Sequence, residues 1–192
     1  LAARTNAVLV DIVRGSLHAS GIPADAVVAV AGGHDALDEL LADPATADVV
    51  IPRGGEELKK RLLRDSRIPV LAAAGGNCHV YVDASADGDA AVAIAVNAKT
   101  QRPGVCNAAE TLLVHAEVAD AFLPRAAASL RAAGVELRPD LRARAAGGPE
   151  LADAAEATEE DFAEEFLALV LAVKVVGSVD EAIEHINAYG SG

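Results

Sequence analysis

The sequence lacks tryptophan and methionine, and only 3% of its 192 residues are aromatic. A hydrophobic share of 52%, much of it alanine, must therefore build a core from small and branched aliphatic side chains. This composition suits short helices layered on a buried sheet, so we predict an α/β fold. The length allows one large domain or two small ones.

Positive charge is also scarce, since 16 Lys and Arg face 29 acidic residues and leave a formal net charge of −13. No basic stripe is present, which argues against a nucleic-acid-binding protein. No segment reaches the roughly 18 unbroken apolar residues of a membrane-spanning helix, and no signal-peptide pattern is visible. We therefore expect a cytoplasmic protein with neither a nucleic acid nor a membrane as partner.

The hydrophobic spacing divides the chain into two parts, which we predict as domains 1–71 and 72–192. The first part alternates helices with short apolar runs, as in a parallel βαβ sheet. Its predicted elements are helix 6–18, strand 27–30, helix 35–41, strand 48–51, helix 56–64 and strand 68–71. The second part is predicted as strand 79–83, helix 86–100, loop 101–107, strand 111–115, helix 118–133, an irregular region 138–158 with short helices, strand 171–176 and helix 179–188.

Cysteine occurs only at Cys78 and Cys106, and without an export signal we expect both to be free thiols. Their spacing to the histidines offers no metal-ligand pattern, so no metal site is expected. Cys106 lies in the predicted loop, where Lys99 and Arg102 nearby would favour a reactive thiolate. A free cysteine is more often a small buried hydrophobic residue, so local context leaves both interpretations open.

Cys78 is the competing thiol, and its place before an alternating strand favours a buried strand-edge residue. His79 follows it, but adjacent strand residues point to opposite faces, so these side chains should not meet. Gly54 and Gly55 lie between a predicted strand and a helix, either as a plain turn or as an anion site at the helix N-terminus. Gly75 and Gly76 have the same two interpretations. The pattern at Glu164 and Glu165 is typical of a solvated helix start.

Several ordered strings together closely resemble the gamma-glutamyl phosphate reductase family, within the aldehyde dehydrogenase superfamily. They are residues 51–55 (IPRGG), 77–83 (NCHVYVD), 97–108 (NAKTQRPGVCNA), 110–115 (ETLLVH), 172–176 (AVKVV) and 186–192 (INAYGSG). The resemblance covers nearly the whole chain and is loosest over 138–158. It implies an aldehyde-dehydrogenase-like fold, in which 1–71 end a Rossmann-like cofactor domain and 72–192 form the α/β catalytic domain.

The resemblance also implies roles for individual residues. Cys106 matches the catalytic nucleophile, Glu165 matches the glutamate that holds the nicotinamide ribose, and Gly54 and Gly55 fall in the turn facing the cofactor. We expect the remaining candidates, Lys99, Arg102 and Asn107, to bind the substrate. The implied reaction is NADPH-dependent reduction of L-glutamate 5-phosphate to L-glutamate 5-semialdehyde through a cysteine thioester, in proline biosynthesis.

Two alternatives to this reaction are a hydrolytic aldehyde dehydrogenase and a non-catalytic member of the superfamily, and Ala73 argues against the first. The hydrolytic enzymes carry a water-activating glutamate at that position, and a reductase whose leaving group is phosphate does not need one. The non-catalytic alternative stays open, although Cys106 and Glu165 are intact. The chain resembles an internal piece of a longer enzyme that would be a homo-oligomer and a partner of glutamate 5-kinase. The piece alone should be nearly inactive.

Overall fold

The computed structural model describes residues 3–30, 32–72 and 75–190. The chain divides into two compact units, residues 1–73 and 74–192, and each is described by itself. None of the helices in the described part of the chain is both long and apolar enough to cross a membrane.

The first unit consists mainly of helices. Helix α1 spans Ala3–Ala19 and is followed by a 3-10 turn at Ala24–Ala26, and helices α2 and α3 span His34–Ala42 and Glu56–Asp65. Gly21 ends α1 with φ +75°, a left-handed conformation that glycine adopts without a steric penalty. The three predicted helices are therefore confirmed.

The strands predicted in the first unit form only in part. Val50 and Val70 make an isolated parallel bridge, in which the Val50 N–H donates to Pro69 and the Leu71 N–H donates to Val50. The prediction of a strand at 27–30 is wrong. Val28 and Val30 are 65% and 64% exposed, so the burial on both faces that would stabilise such an apolar strand is absent.

The second unit is built on a four-stranded, all-parallel sheet. Strands β1 (Cys78–Val82), β2 (Ala109–His115), β3 (Glu136–Pro139) and β4 (Val170–Val176) lie in the order β1-β2-β4-β3. The chain connects them through helices α4 (Gly88–Thr100), α5 (Ala116–Ala132), α6 (Leu141–Gly147) and α7 (Glu159–Ala163), and closes with α8 (Val179–Tyr189). A 3-10 turn, Gly148–Glu150, follows α6.

Short polar side chains start several of these helices. Asp87 accepts the Ala90 N–H at α4, Asp140 accepts the Ala143 N–H at α6, and Ser178 accepts the Glu181 N–H at α8. Each such cap satisfies a backbone donor that the helix itself leaves unpaired and stabilises the helix by about 1 kcal/mol.

Strand β3 does not correspond to a predicted strand, and the predicted irregular region 138–158 begins inside it. The strand has only four residues, lies at the sheet edge, and buries Leu137 and Pro139 on alternate positions. Its pairing with β4, from Glu136 opposite Val170 onward, stabilises a segment too short to show a period of its own.

The main hydrophobic core lies between one face of the sheet and helices α4, α5 and α6. Phe122, Leu123 and Leu130 of α5 pack there against alternate residues of the strands. The opposite face carries a smaller cluster in which Leu113 and Val176 pack against Ala182 of α8.

Aromatic rings extend this second cluster. The His185 ring of α8 is 5% exposed and lies 5.4 Å from the His79 ring, 5.0 Å from that of Phe162 and 4.6 Å from that of Tyr189, between centroids. Neither His185 ring nitrogen has a hydrogen-bond partner among the described residues. Burial, together with the positive charge of Lys174 and the neighbouring His79, lowers the pKa of His185 to about 4, so the ring is neutral at physiological pH.

Candidate functional site

The nucleophile loop, residues 101–108, joins the C-terminal end of α4 to the start of β2. Two tight turns shape it, with the Val105 N–H donating to Arg102 (N to O 3.4 Å) and the Ala108 N–H donating to Val105 (3.0 Å). Cys106 is exposed at the second turn as a free thiol. The alternative interpretation of Cys106 as a small buried hydrophobic residue is therefore wrong.

Gly76 packs directly against the backbone of this loop at Cys106. A Cβ atom at Gly76 would lie 1.8 Å from the carbonyl oxygen of Cys106 and 2.6 Å from its Cα. No side chain fits there, so the requirement for glycine comes from close backbone packing against the Cys106 backbone.

Cys78 contacts the same carbonyl from strand β1. Its Sγ donates to the Cys106 carbonyl oxygen at 3.3 Å. Burial raises the pKa of the Cys78 thiol, and the neighbouring Cys106, Glu110 and Glu165 raise it further. Cys78 is thus a half-buried thiol that stays protonated, whereas Cys106 is open to solvent.

A buried ion pair spans the nucleophile loop. Lys99 Nζ lies 2.5 Å from Glu110 Oε2, and the two side chains are 0% and 1% exposed. Lys99 belongs to the last turn of α4, and Glu110 is the second residue of β2. Burial raises the pKa of the Glu110 carboxyl, and the bonds from Lys99 and the Leu167 N–H act against that shift.

The second oxygen of Glu110 holds a further segment. Glu110 Oε1 accepts the backbone N–H of Leu167 at 3.2 Å. Leu167 has φ +50°, a left-handed conformation that is uncommon for a residue with a branched side chain. Glu165, two residues earlier, is half-buried, and its charge contributes to the raised pKa of both Cys78 and Glu110.

Asn77 anchors the start of β1 to two distant segments. Its Nδ2 donates to the Phe162 carbonyl at 2.7 Å and to the Tyr189 carbonyl at 2.8 Å. These bonds connect the end of α7 and the end of α8 to the strand that carries Cys78. The amide therefore orders the backbone on which the cysteine site is built.

Comparison with known protein families decides to which family this arrangement belongs. The family model described as the aldehyde dehydrogenase family matches residues 2–154, more than half of the chain. The chain belongs to the aldehyde dehydrogenase family.

Curated relatives agree with the resemblance seen in the motifs. The gamma-glutamyl phosphate reductases of Thermobifida fusca and Kineococcus radiotolerans are 50% and 49% identical to this chain, over 188 and 192 residues that make up 97% of it. The chain spans 44% of the length of each of these relatives. The predicted resemblance is confirmed.

Solved structures agree with the fold. The gamma-glutamyl phosphate reductase of Thermotoga maritima matches with a TM-score of 0.86 and 42% identity, covering 96% of this chain and 44% of that one. Propionaldehyde dehydrogenase of Rhodopseudomonas palustris shares the fold, with a TM-score of 0.70 and 19% identity over 98% of this chain and 48% of that one. The predicted aldehyde-dehydrogenase-like α/β fold is confirmed.

Within this member of the aldehyde dehydrogenase family, the candidate substrate-binding residues fall into two groups. Arg102 and Asn107 are exposed on the nucleophile loop, on either side of Cys106. Lys99 is instead fully buried, with its Nζ against Glu110. Only the first two therefore share the exposed face of the loop.

The other candidates lie outside the loop. Gly54 and Gly55 precede α3 in the first unit, Gly55 as its N-cap residue. Glu165 follows α7, which ends at Ala163, so the prediction that Glu164 and Glu165 start a helix is wrong. The extended backbone at Glu164, with φ −82° and ψ 135°, ends the helix there. Ala73 lies outside the described residues.

Glu110 and Asn77 also belong to the candidate site, although neither was predicted from the sequence as a site residue. One signal for Glu110 was present, a charged residue at the second position of an otherwise apolar strand. A charge fully buried in a strand needs a partner, and Lys99 across the loop has the opposite sign. Asn77 offered no comparable signal, because its two partners lie 85 and 112 residues away.

Proposed function

We propose that this chain carries the nucleophile of a gamma-glutamyl phosphate reductase, which reduces L-glutamate 5-phosphate to L-glutamate 5-semialdehyde with NADPH in proline biosynthesis. One observation carries the proposal: Cys106 is exposed on a loop whose backbone packs against Gly76 and accepts a bond from Cys78. The 50% identity to a curated relative of that name supports the choice of substrate.

The first step requires an exposed thiolate. The Cys106 sulfur attacks the acyl carbon of the substrate, a carbon–sulfur bond forms, and the carbon–oxygen bond to phosphate breaks. Phosphate leaves with the bonding electron pair, and the product on the enzyme is a thioester of Cys106. Because phosphate is a good leaving group, no general acid is needed at this step.

The second step is a reduction of that thioester. A nicotinamide cofactor, when bound, would supply the hydride for this reduction. Cys106 holds the acyl group while its carbon is reduced. The carbon–sulfur bond then breaks with its electron pair going to the Cys106 sulfur, which releases the semialdehyde and restores the thiolate. The exposed position of Cys106 at a turn lets substrate enter and product leave.

Substrate binding is proposed for Arg102 and Asn107. The chain has a net charge of −13, so an anionic acyl phosphate needs a local cation, and Arg102 is exposed four residues before the nucleophile. Asn107 follows Cys106 directly and can donate an amide hydrogen to the acyl oxygen. Lys99 is left out of this set, because its ammonium group is buried against Glu110.

Cofactor binding is proposed for Gly54, Gly55 and Glu165. Gly55 is the N-cap residue of α3 and has no side chain to occupy the first N–H groups of that helix. Among the described residues, no atom lies within 4 Å of a Cβ placed at Gly55, which supports the helix start as a site for a phosphate of the dinucleotide. Glu165 supplies a carboxylate that can accept hydrogen bonds from ribose hydroxyls.

The hydrolytic alternative lacks its base in this sequence. An aldehyde oxidase needs a group that activates water against the thioester, and the family position for it is Ala73. If water does not attack the thioester, the enzyme running from semialdehyde to acyl phosphate would transfer the acyl group from Cys106 to inorganic phosphate. A kinase that makes the acyl phosphate is the proposed upstream partner, and a homo-oligomer is the proposed assembly.

The test runs the reaction backwards with the full-length protein that carries this sequence, because the acyl phosphate itself is unstable. Semialdehyde and NADP⁺ should give NADPH only when inorganic phosphate is present. Phosphate-independent NADPH formation with release of glutamate would instead establish a hydrolytic aldehyde dehydrogenase. Cys106→Ala should abolish the reaction, and a wild-type protein with no activity under either condition would support the non-catalytic alternative.

A further inference from the structure

The Lys99–Glu110 pair brackets the nucleophile loop. Lys99 precedes residues 101–108 and Glu110 follows them, so the 2.5 Å contact between Nζ and Oε2 fixes the separation of the two ends of the loop. Both side chains are excluded from solvent, so water cannot compete for either partner. A loop closed by a buried, directional bond has fewer accessible conformations than one closed by apolar contact alone.

Glu110 also joins the loop to the segment that carries Glu165. Its Oε1 holds the Leu167 N–H, at the residue whose left-handed backbone turns the chain between α7 and β4. The Leu167 carbonyl in turn lies beside the loop, since a Cβ at Gly104 would be 3.7 Å from its oxygen. One carboxylate therefore connects both loop ends and the Glu165 segment.

Stability alone does not account for a charged pair at this place. Taking two ions out of water costs about as much as their attraction returns, so an apolar pair of similar size would be about equally stable. The charged pair provides directional hydrogen bonds that apolar side chains cannot make. One Glu110 oxygen accepts a bond from Lys99 and the other accepts a bond from the Leu167 N–H. The charged pair also places the ammonium group of Lys99 beside the Glu110 carboxylate. The negative charge of that carboxylate contributes to the raised pKa of the Cys78 thiol.

We propose that Lys99 and Glu110 are positioning residues, which hold Cys106 and Glu165 in the mutual arrangement that the reaction needs. This inference rests on the proposed reductase function, and it assigns no substrate contact to either residue. Loss of the pair should lower kcat more than it raises KM, because the substrate-binding groups Arg102 and Asn107 remain on the loop.

The experiment compares two double variants of the full-length protein in the phosphate-dependent assay. Lys99→Met with Glu110→Met removes both charges and every bond of the pair, while keeping similar side-chain volume. Lys99→Met with Glu110→Gln keeps an acceptor for the Leu167 N–H. We expect kcat to fall about tenfold or more in the first variant and by less in the second, since misplacement of a reacting group by about 1 Å is enough for such a loss.

A matched control removes a different ion pair that also contacts α4. Asp89→Asn with Arg125→Gln breaks an exposed bond between α4 and α5, away from the loop, and kcat should stay within about twofold of wild type. Thermal denaturation of every variant separates lost activity from lost folding. A folded Met/Met variant with kcat within about twofold of wild type overturns the proposal, and so does an equal loss in the control.

Two further outcomes keep the test decisive. If the Met/Met variant does not fold, wild-type kcat in the Met/Gln variant overturns the proposal. If the wild-type protein shows no reductase activity, the proposed function fails. Amide hydrogen exchange then tests whether the Lys99–Glu110 pair orders the loop. Exchange in residues 101–108 should then rise about tenfold in the Met/Met variant while α5 is unchanged, and unchanged exchange in the loop overturns the proposal.

Discussion

Gly76 lies against the backbone of Cys106 so closely that a Cβ atom at Gly76 would be 1.8 Å from the Cys106 carbonyl oxygen. Two residues thirty positions apart in the chain thus meet without any side chain between them. The position of the candidate nucleophile therefore depends on this backbone packing as well as on the loop that carries Cys106.

Gly76→Ala should displace the Cys106 backbone, because the new methyl group meets backbone atoms that cannot rotate away. We expect a loss of stability of about 1–3 kcal/mol and a lower rate of Cys106 alkylation. Urea denaturation and peptide mass spectrometry measure the two effects. Gly15→Ala in α1 is the matched control, since its Cβ would meet nothing within 4 Å and should be neutral or stabilising.

The two thiols should differ in reactivity. Iodoacetamide should modify exposed Cys106 about ten times faster than Cys78, or more, because Cys78 is half-buried and its pKa is raised. Mass spectrometry of the labelled peptides over time below about pH 8 gives both rates. Cys78→Ala removes only a weak hydrogen bond to the Cys106 carbonyl, so Cys106 should still be labelled by iodoacetamide in this variant. Equal, slow labelling of both cysteines would argue against a catalytic role for Cys106.

Stability should fall as the solution is acidified through the range set by His185. The unfolded chain takes up a proton on this imidazole near pH 6.5, whereas the folded protein does so only near pH 4, so a lower pH in between favours unfolding. The contribution of His185 to the free energy of unfolding is complete above this range. Between about pH 7 and about pH 5 we expect it to fall by about 2 kcal/mol.

His185→Phe tests this assignment, because it keeps a ring beside Phe162 and Tyr189 and removes the titrating group. Urea denaturation at several pH values should show a shallower acid slope for the variant than for the wild type. His79, whose pKa burial also lowers, remains in both proteins and leaves a residual slope. Identical slopes would show that the titration of His185 is not linked to folding.

The sheet core should depend strongly on strand β2. Leu112 is 1% exposed in the main core, and Leu112→Ala should destabilise the protein by about 2–5 kcal/mol through lost burial and a residual cavity. Leu141→Ala makes the same chemical change at a residue that is 65% exposed, and should stay within about 0.5 kcal/mol of wild type. Similar losses from both in urea denaturation would contradict this description of the core.

Long elements with a clear hydrophobic period could be predicted from the sequence with accurate ends. Helix α8 was expected at 179–188 and spans Val179–Tyr189, and strand β4 was expected at 171–176 and spans Val170–Val176. Such elements are recognisable because local spacing already determines which face is buried. The apolar run at 27–30 has the same local appearance, but it stays exposed, since an apolar pattern cannot supply the neighbouring strand it needs.

The sequence by itself determined the family, through long ordered strings around Cys106, and with it the identity of the candidate nucleophile. It could do so because residue order within a short segment is directly visible. Only the tertiary structure decided what surrounds that cysteine. Gly76 beneath its carbonyl, the buried Lys99–Glu110 pair across its loop and the Leu167 turn that Glu110 holds all depend on contacts between separate segments. Such contacts arise from the folding of the sheet, and the sequence signals only one of them, through the charge of Glu110 in an otherwise apolar strand.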